Sequence, residues 1–334
     1  MTPRILVTNW IDDAAREFLG RLGDVDAPAT RDVPDPSWVR GRAESADAMM
    51  AFMPDTVDAS FLAAAPRLRI VACALKGFDN FDVAACSRAG VWVSIVPDLL
   101  TAPTAELAVG LAIGLARHVR AGDAFVRSGR FQGWRPELYG TGLDGSSVGI
   151  VGHGRVGRAI EARLAGFGCE VAVHDPAHPE SIPLDALLAR ADYLFVAAPM
   201  APGTRHLIGA AALARLKPGA LLINVGRGST VSEAAVAEAL ENRRLGGYAA
   251  DVFEMEDWAL SDRPRAIDPR LLASSRTLFS PHLGSAVARV RAGIALAAAR
   301  NIADVLEGKR PRDAINEPES PAHRGSLSCG PDNP

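Results

Sequence analysis

Ser147-Val148-Gly149-Ile150-Val151-Gly152-His153-Gly154-Arg155-Val156-Gly157 decides the fold. An apolar run running straight into Gly-x-Gly-x-x-Gly and then into the helical pattern of Arg158 to Phe167 reads as a strand, a tight turn and a helix. At such a turn the glycines let a pyrophosphate approach the helix N-terminus. Beyond it, Asp175 closes the next apolar run, Val171 to His174, at the position where a carboxylate receives the adenosine ribose hydroxyls. That carboxylate would repel a 2′-phosphate, and neither Arg nor Lys stands between Asp175 and Pro183. The expected cofactor is NAD.

Outward from this unit, Tyr193 to Ala197, Ala220 to Val225 and Gly247 to Asp251 continue the series, with helical stretches such as Ala234 to Leu240 between them. Strands alternating with helices make a parallel doubly wound sheet whose ligand crevice lies at the carboxyl ends. Upstream, Arg4 to Thr8, Met49 to Met53 and Leu68 to Cys73 are further strand candidates, so the first hundred residues read as a second α/β unit. Thr101 or Thr104 can cap a long helix running from Glu106 to about Arg127, and its segment Leu107 to Ala116 is apolar on nearly every face. Such a helix is buried inside a domain or across a subunit interface. An alanine-rich helix from Val287 to Leu306 leads back toward the first unit, and residues 317–334, rich in Pro, Ser and Gly, read as a disordered tail.

The chain has 334 residues, 48% of them hydrophobic, and a formal net charge of -3. Two cores are expected, and no electrostatic affinity for nucleic acid or membrane surfaces. Cys73, Cys86, Cys169 and Cys329 are scattered without metal-like spacing, which suits a reducing compartment, with cytoplasm the expected location.

Three polar residues in the loops after these strands carry chemistry. Arg227, in Asn224-Val225-Gly226-Arg227-Gly228-Ser229, offers a planar fork to an oxyanion. Glu256 and His282 fall in later loops, where a carboxylate bonded to one imidazole nitrogen would fix the tautomer of the other. Taken singly, each is an ordinary loop residue. Together, after a dinucleotide loop, they are the parts for moving a hydride to or from a small anion.

The glycine loop, Asp175, Asn224 to Ser229, Gly246 to Glu254 and Pro281-His282-Leu283-Gly284 resemble the D-2-hydroxyacid dehydrogenases over residues 1 to about 316. Within that family the chain is more closely similar to the phosphite (phosphonate) dehydrogenases. The similarity rests on Met49 to Asp55, Cys73 to Asp82, Val96 to Thr101, Asp123 to Gly129, Phe131 to Trp134, Tyr139 to Asp144 and Glu254 to Ala259. The resemblance implies a Rossmann-type NAD domain at residues 101–290, carrying the dimerisation helix and arm of a homodimer. That domain is inserted into a flavodoxin-like substrate domain made of residues 1–100 and 291–316. It implies an anion anchored by Arg227, a base at His282 oriented by Glu256, and phosphite held by Lys76 and the Gly77 backbone, with Met53, Arg291, Trp134 and Tyr139 around the pocket. For NAD it implies Gly152, Gly154, Arg155, Val156, Gly157, Asp175, Pro199, Thr104, Gly226, Asp251, His282 and Gly284. No metal is implied.

Lys76 bears on the choice of anion. A 2-hydroxyacid presents one carboxylate, whereas phosphite carries up to two charges on three oxygens and calls for a second cation to avoid a buried unpaired charge. The expected reaction is therefore oxidation of phosphite to phosphate, in which either His282 or Arg227 assists the water. The alternatives are a D-2-hydroxyacid dehydrogenase acting on glyoxylate or hydroxypyruvate, and an NAD-sensing corepressor on the same fold. His153, Arg155, Asp175-Pro176 and the stretch from His178 to Pro183 depart from the phosphite pattern and bear on cofactor selectivity.

Overall fold

A computed structural model describes residues 2–319, and contacts divide the chain into two units. One comprises the residues up to Leu99 together with those from Ala288 on; the other runs from Leu100 to Val287. The second crossover therefore comes just ahead of helix Ala288–Leu306, so that this helix belongs whole to the first unit.

The first unit is a five-stranded parallel sheet. Its strands are β1 (Arg4–Val7), β2 (Asp24–Asp26), β3 (Ala48–Ala51), β4 (Ile70–Cys73) and β5 (Trp92–Ser94), in the order β2-β1-β3-β4-β5. Only β1, β3 and β4 stand out in the sequence. Asp24-Val25-Asp26 and Trp92-Val93-Ser94 are too short to show a period, and pairing with β1 and β4 makes them strands.

The second unit holds β6 (Ser147–Val151), β7 (Glu170–His174), β8 (Tyr193–Val196), β9 (Ala220–Asn224), β10 (Leu245–Ala250) and β11 (Thr277–Phe279), in the order β11-β10-β9-β8-β6-β7. One strand more than the five expected is present, because β11 is recruited by pairing with β10. Apolar runs here serve two faces at once. Leu194, Val196 and Leu222 point into one buried cluster, while Tyr193, Phe195, Leu221 and Ile223 point into the other. Each fully buried side chain of this kind contributes roughly 1.5–3 kcal/mol. The chain reverses at β6, whose neighbours are β7 and β8, and this switch point places the crevice beside Gly152.

The long helix expected from Glu106 to Arg127 is two helices, Thr101–Ala116 and Val119–Arg127, broken at His118, which adopts a left-handed φ of 53°. Neither Thr101 nor Thr104 caps the first. Leu100 is the N-cap without a side-chain bond, and the Thr104 hydroxyl instead donates back to the Leu100 carbonyl at 2.7 Å. Ala105, Ala108, Leu111 and Ala112 of this helix pack into the second unit's own core, leaving Ala102, Glu106 and Gly110 exposed. Burial inside a domain, the first of the two readings, accounts for its apolar character. Of the expected tail, residues 320–334 lie outside the described residues. Glu317, at the boundary of that stretch, pairs with Arg310 at 2.7 Å.

Among the described residues no helix is long and apolar enough to cross a membrane. None of their His, Cys, Asp and Glu side chains form a group placed to hold a metal ion.

Candidate active site

The cofactor side is assembled at the switch point. Gly152 has φ 88°, and a Cβ there would stand 2.6 Å from the Ala198 nitrogen at the end of β8. Any side chain would therefore force β6 and β8 apart. Gly154, by contrast, faces open space and N-caps helix Arg155–Leu164 without a side-chain bond. An uncapped helix N-terminus beneath an open glycine fits a pyrophosphate. Arg155 is exposed beside it, Val156 is half-buried, and Gly157 packs against the Gly152 carbonyl. Pro199 is exposed, and a Cβ on Gly226 would meet the Ala198 carbonyl at 2.5 Å, so both border the same strand ends.

Asp175 follows β7. Its carboxylate accepts the His153 N–H at 2.7 Å and the Ala177 N–H at 3.0 Å. Burial alone would push this carboxyl up, but those two bonds, together with the nearby His153 and His174 rings, outweigh it and hold the group below its ordinary value. The site thus presents an ionised carboxylate, suited to ribose hydroxyls and hostile to a 2′-phosphate. The His153 ring is buried, stands 2.7 Å from Glu161 through Nε2, and meets His178 edge-on at 4.2 Å between centroids. Asp175→Ala is expected to lower the NAD-to-NADP ratio of kcat/KM by about tenfold, the scale of one lost charge-assisted hydrogen bond. An unchanged ratio would remove Asp175 from the ribose site.

The chemical residues gather on three neighbouring loops. Arg227 follows β9, with its backbone carbonyl pinned by Asn224 Nδ2 at 2.9 Å and the Thr230 hydroxyl at 2.6 Å. Gly228 lies so close to the Phe253 backbone that no Cβ fits, and Asp257 accepts the Ser229 N–H at 2.6 Å. The Arg227 loop is thereby clamped to the Glu256 loop. Glu256 Oε2 accepts the Phe253 N–H at 3.0 Å and stands 3.5 Å from His282 Nδ1. The pairing of Glu256 with His282, which their separation in the sequence could not establish, is made by the fold.

His282 adopts φ 54°, a conformation that a residue with a Cβ keeps only when its surroundings enforce it. Asp251 is the enforcing group. Its carbonyl accepts the His282 N–H at 2.9 Å, and its carboxylate accepts the Ser280 hydroxyl at 2.6 Å, Leu283 N–H at 2.7 Å and Gly284 N–H at 2.8 Å. Burial pushes the Asp251 carboxyl up, opposed by these bonds and by the nearby His282. A Cβ on Gly284 would come 2.9 Å from Thr104 Oγ1, so Thr104, Asp251 and Gly284 form one corner. The sequence marks Asp251 as a cofactor residue; the fold adds its role as organiser of the His282 loop. Asp257 and Ser280 carry no sequence signal of their own, since their partners are distant along the chain.

The first unit carries Met53, Lys76, Gly77 and Arg291 of the other expected substrate residues. Met53 and Lys76, both half-buried, follow the adjacent strands β3 and β4, with Gly77 next to Lys76. The Arg291 guanidinium lies 6.0 Å over the ring of Phe52, the residue before Met53, and burial lowers its pKa from the ordinary value. Trp134 and Tyr139 are 82% and 73% exposed, on an open stretch of the second unit. Within this unit they are surface residues.

The model of the NAD-binding domain of D-isomer specific 2-hydroxyacid dehydrogenases matches residues 109–284. The chain belongs to the D-isomer specific 2-hydroxyacid dehydrogenase family. It is an oxidoreductase of that family, and its cofactor is NAD(H). The glyoxylate reductase of Aeropyrum pernix is 34% identical over 94% of this chain and 96% of its own length. That of Thermococcus litoralis is 30% identical over 95% and 98%. Among solved structures, an NADPH-dependent glyoxylate/hydroxypyruvate reductase from Sinorhizobium meliloti, in complex with NADP and malonate, is 29% identical. It has a TM-score of 0.83 and covers 98% of this chain and 100% of its own. Each of these relatives is named for glyoxylate, the substrate class of the alternative reading, and none for phosphite.

Proposed function

We propose that the protein transfers a hydride between NAD and a small anion, and that this anion is phosphite, oxidised to phosphate. The observation that carries the choice is the placement of two cationic side chains of the first unit near the carboxyl ends of β3 and β4. Lys76 follows β4, and Arg291 stands over the Phe52 ring beside Met53. One carboxylate needs one fork; a doubly charged oxyanion needs more. The sequence blocks around Lys76, Trp134, Tyr139 and Glu256 support the same substrate.

In this reading water attacks phosphorus as the P–H bond breaks. Oxygen ends on phosphate, one proton is released, and the hydride would leave to the dinucleotide that the Gly152 turn would hold. NAD supplies the hydride acceptor. Arg227 binds the phosphite oxygens and offsets charge as the water adds. His282, oriented by Glu256 and by the Asp251-fixed loop, takes the proton from water at a ring nitrogen.

Family membership leaves the substrate open, and the names of the relatives favour a second reading, NADH-driven reduction of glyoxylate or hydroxypyruvate. There His282 would donate a proton to the carbonyl oxygen. One panel separates the two: NADH formation with phosphite against NADH loss with 2-oxoacids. Phosphite turnover at ordinary enzyme concentrations also excludes a purely NAD-sensing role. Lys76→Ala is expected to raise the phosphite KM about a hundredfold, the scale of leaving a charge unpaired; a normal phosphite KM would sink the assignment.

The same reading includes a homodimer in a reducing, NAD-containing compartment. Phe131, Trp134, Leu138 and Tyr139 lie exposed on one stretch of chain, an aromatic content that favours a protein partner. Light scattering at the mass of a dimer supports it, and a monomer mass contradicts it.

A further inference from the structure

Three loops meet at the carboxyl edge of the first sheet, and a single set of polar groups laces them together. Asp55, in the loop after β3, accepts the Phe52 N–H at 2.6 Å and, across the sheet edge, the hydroxyl of Thr8, which follows β1. Asn80, in the loop after β4, donates through Nδ2 to the Met53 carbonyl at 3.1 Å and also to the Asp55 carbonyl. The lacing continues with Val57 N–H to the Asn80 carbonyl at 3.3 Å and Asp82 N–H to the Val57 carbonyl at 2.8 Å.

Burial pushes the Asp55 carboxyl up to about 6 even though the Phe52 and Thr8 bonds favour its charge, so an ionisable group is held out of water at this edge. Keeping its charged form there costs stability. What the network does accomplish is to fix two chain segments against each other. One carries Met53 and the Phe52 ring under Arg291; the other carries Lys76, four residues before Asn80.

We infer that Thr8, Asp55 and Asn80 form a brace that sets the separation of the Met53 and Lys76 loops, and with it the fit of the anion. They are positioning residues. The inference rests on the reading that Lys76 holds the anionic substrate, and it extends that reading to residues with no chemistry of their own. The brace ties the loop after β3 to the loop after β4, so losing it lets the anion's ligands drift while the sheet and the NAD-binding unit stay intact.

The test uses full-length variants. Asn80→Asp is nearly isosteric but offers no donor to the two carbonyls. Thr8→Val keeps the shape and loses the hydroxyl, and Thr8→Ser restores it. KM for phosphite with NAD and for glyoxylate with NADH, kcat and KM for the cofactor are measured. Binding of inorganic phosphate is followed by calorimetry, which gives an answer whichever substrate turns over. Asn80→Asp and Thr8→Val are expected to raise the anion KM and weaken phosphate binding about tenfold, as for one or two lost hydrogen bonds, with kcat and cofactor KM within about twofold. Thr8→Ser should match the parent.

The inference is overturned if the anion constants stay within about twofold in folded Thr8→Val and Asn80→Asp while Lys76→Ala raises them. Loss of anion and cofactor binding together, tracking a fall in Tm, would also overturn it, since a merely structural network behaves that way. If Lys76→Ala itself leaves anion binding untouched, the underlying reading of Lys76 fails. Should Asn80→Asp not fold, the Thr8→Val and Thr8→Ser pair decides alone.

Discussion

Replacing His282 with alanine is expected to lower kcat by about 10²–10⁴-fold, the range that a positioned acid-base group contributes. Binding of NAD and NADH should change little. Only the imidazole is removed, whereas the loop around it is held from elsewhere: by the Asp251 carboxylate, through Ser280, Leu283 and Gly284, and by the Asp251 carbonyl, through the residue-282 N–H. The left-handed φ at this position costs alanine somewhat more than histidine, but the Asp251 bonds that hold the loop are kept, so the fold should survive. Steady-state NADH absorbance and a fluorescence titration with NADH measure the two halves of this result. Retention of more than about a tenth of kcat would remove His282 from the proton-transfer step. A kcat loss accompanied by equal loss of NADH binding would show a collapsed loop instead.

The second large effect is at Arg227. Changing it to lysine keeps the charge but replaces a planar fork with a point cation on a shorter reach, and kcat/KM should fall about 10²–10³-fold. The backbone around it is fixed independently by Asn224, Thr230 and the Ser229–Asp257 bond, so the side chain alone is altered. If Arg227 acts mainly in the transition state, kcat carries the loss; if it mainly anchors the ground-state anion, KM does. Unchanged values of both with phosphite and with glyoxylate would place Arg227 outside the site altogether.

Much of this was legible from local chemistry. The run into Gly152 read as a strand feeding a tight turn, because the largely apolar Val148 to Val151 leads straight into a Gly-x-Gly-x-x-Gly pattern that opens a helix. Asp175 could be placed by its distance from that turn. The break at His118 was not legible: residues on both sides favour helix, and a single histidine is only a weak signal for a left-handed turn. Nor were β2, β5 and β11, three residues each, whose pairing partners supply what their sequences lack. Asp55, Asn80 and Asp257 look like ordinary loop polar residues until their distant partners are known.

By itself the sequence determined the α/β class and the dinucleotide turn, and it named Asp175 as the candidate for the ribose and Arg227, Glu256 and His282 as candidates for the anion and the proton. These depend on short-range spacing and residue type, which the chain states directly. Only the tertiary structure decided that Glu256 stands 3.5 Å from His282, that Asp251 forces the His282 backbone into its turn, that Asp257 ties the Arg227 loop to the Glu256 loop, and that Thr8, Asp55 and Asn80 lace three strand ends. Each of these is a hydrogen bond or close approach between loops that follow different strands. Such pairings are set by sheet order, and sheet order is a property of the folded core rather than of any one segment.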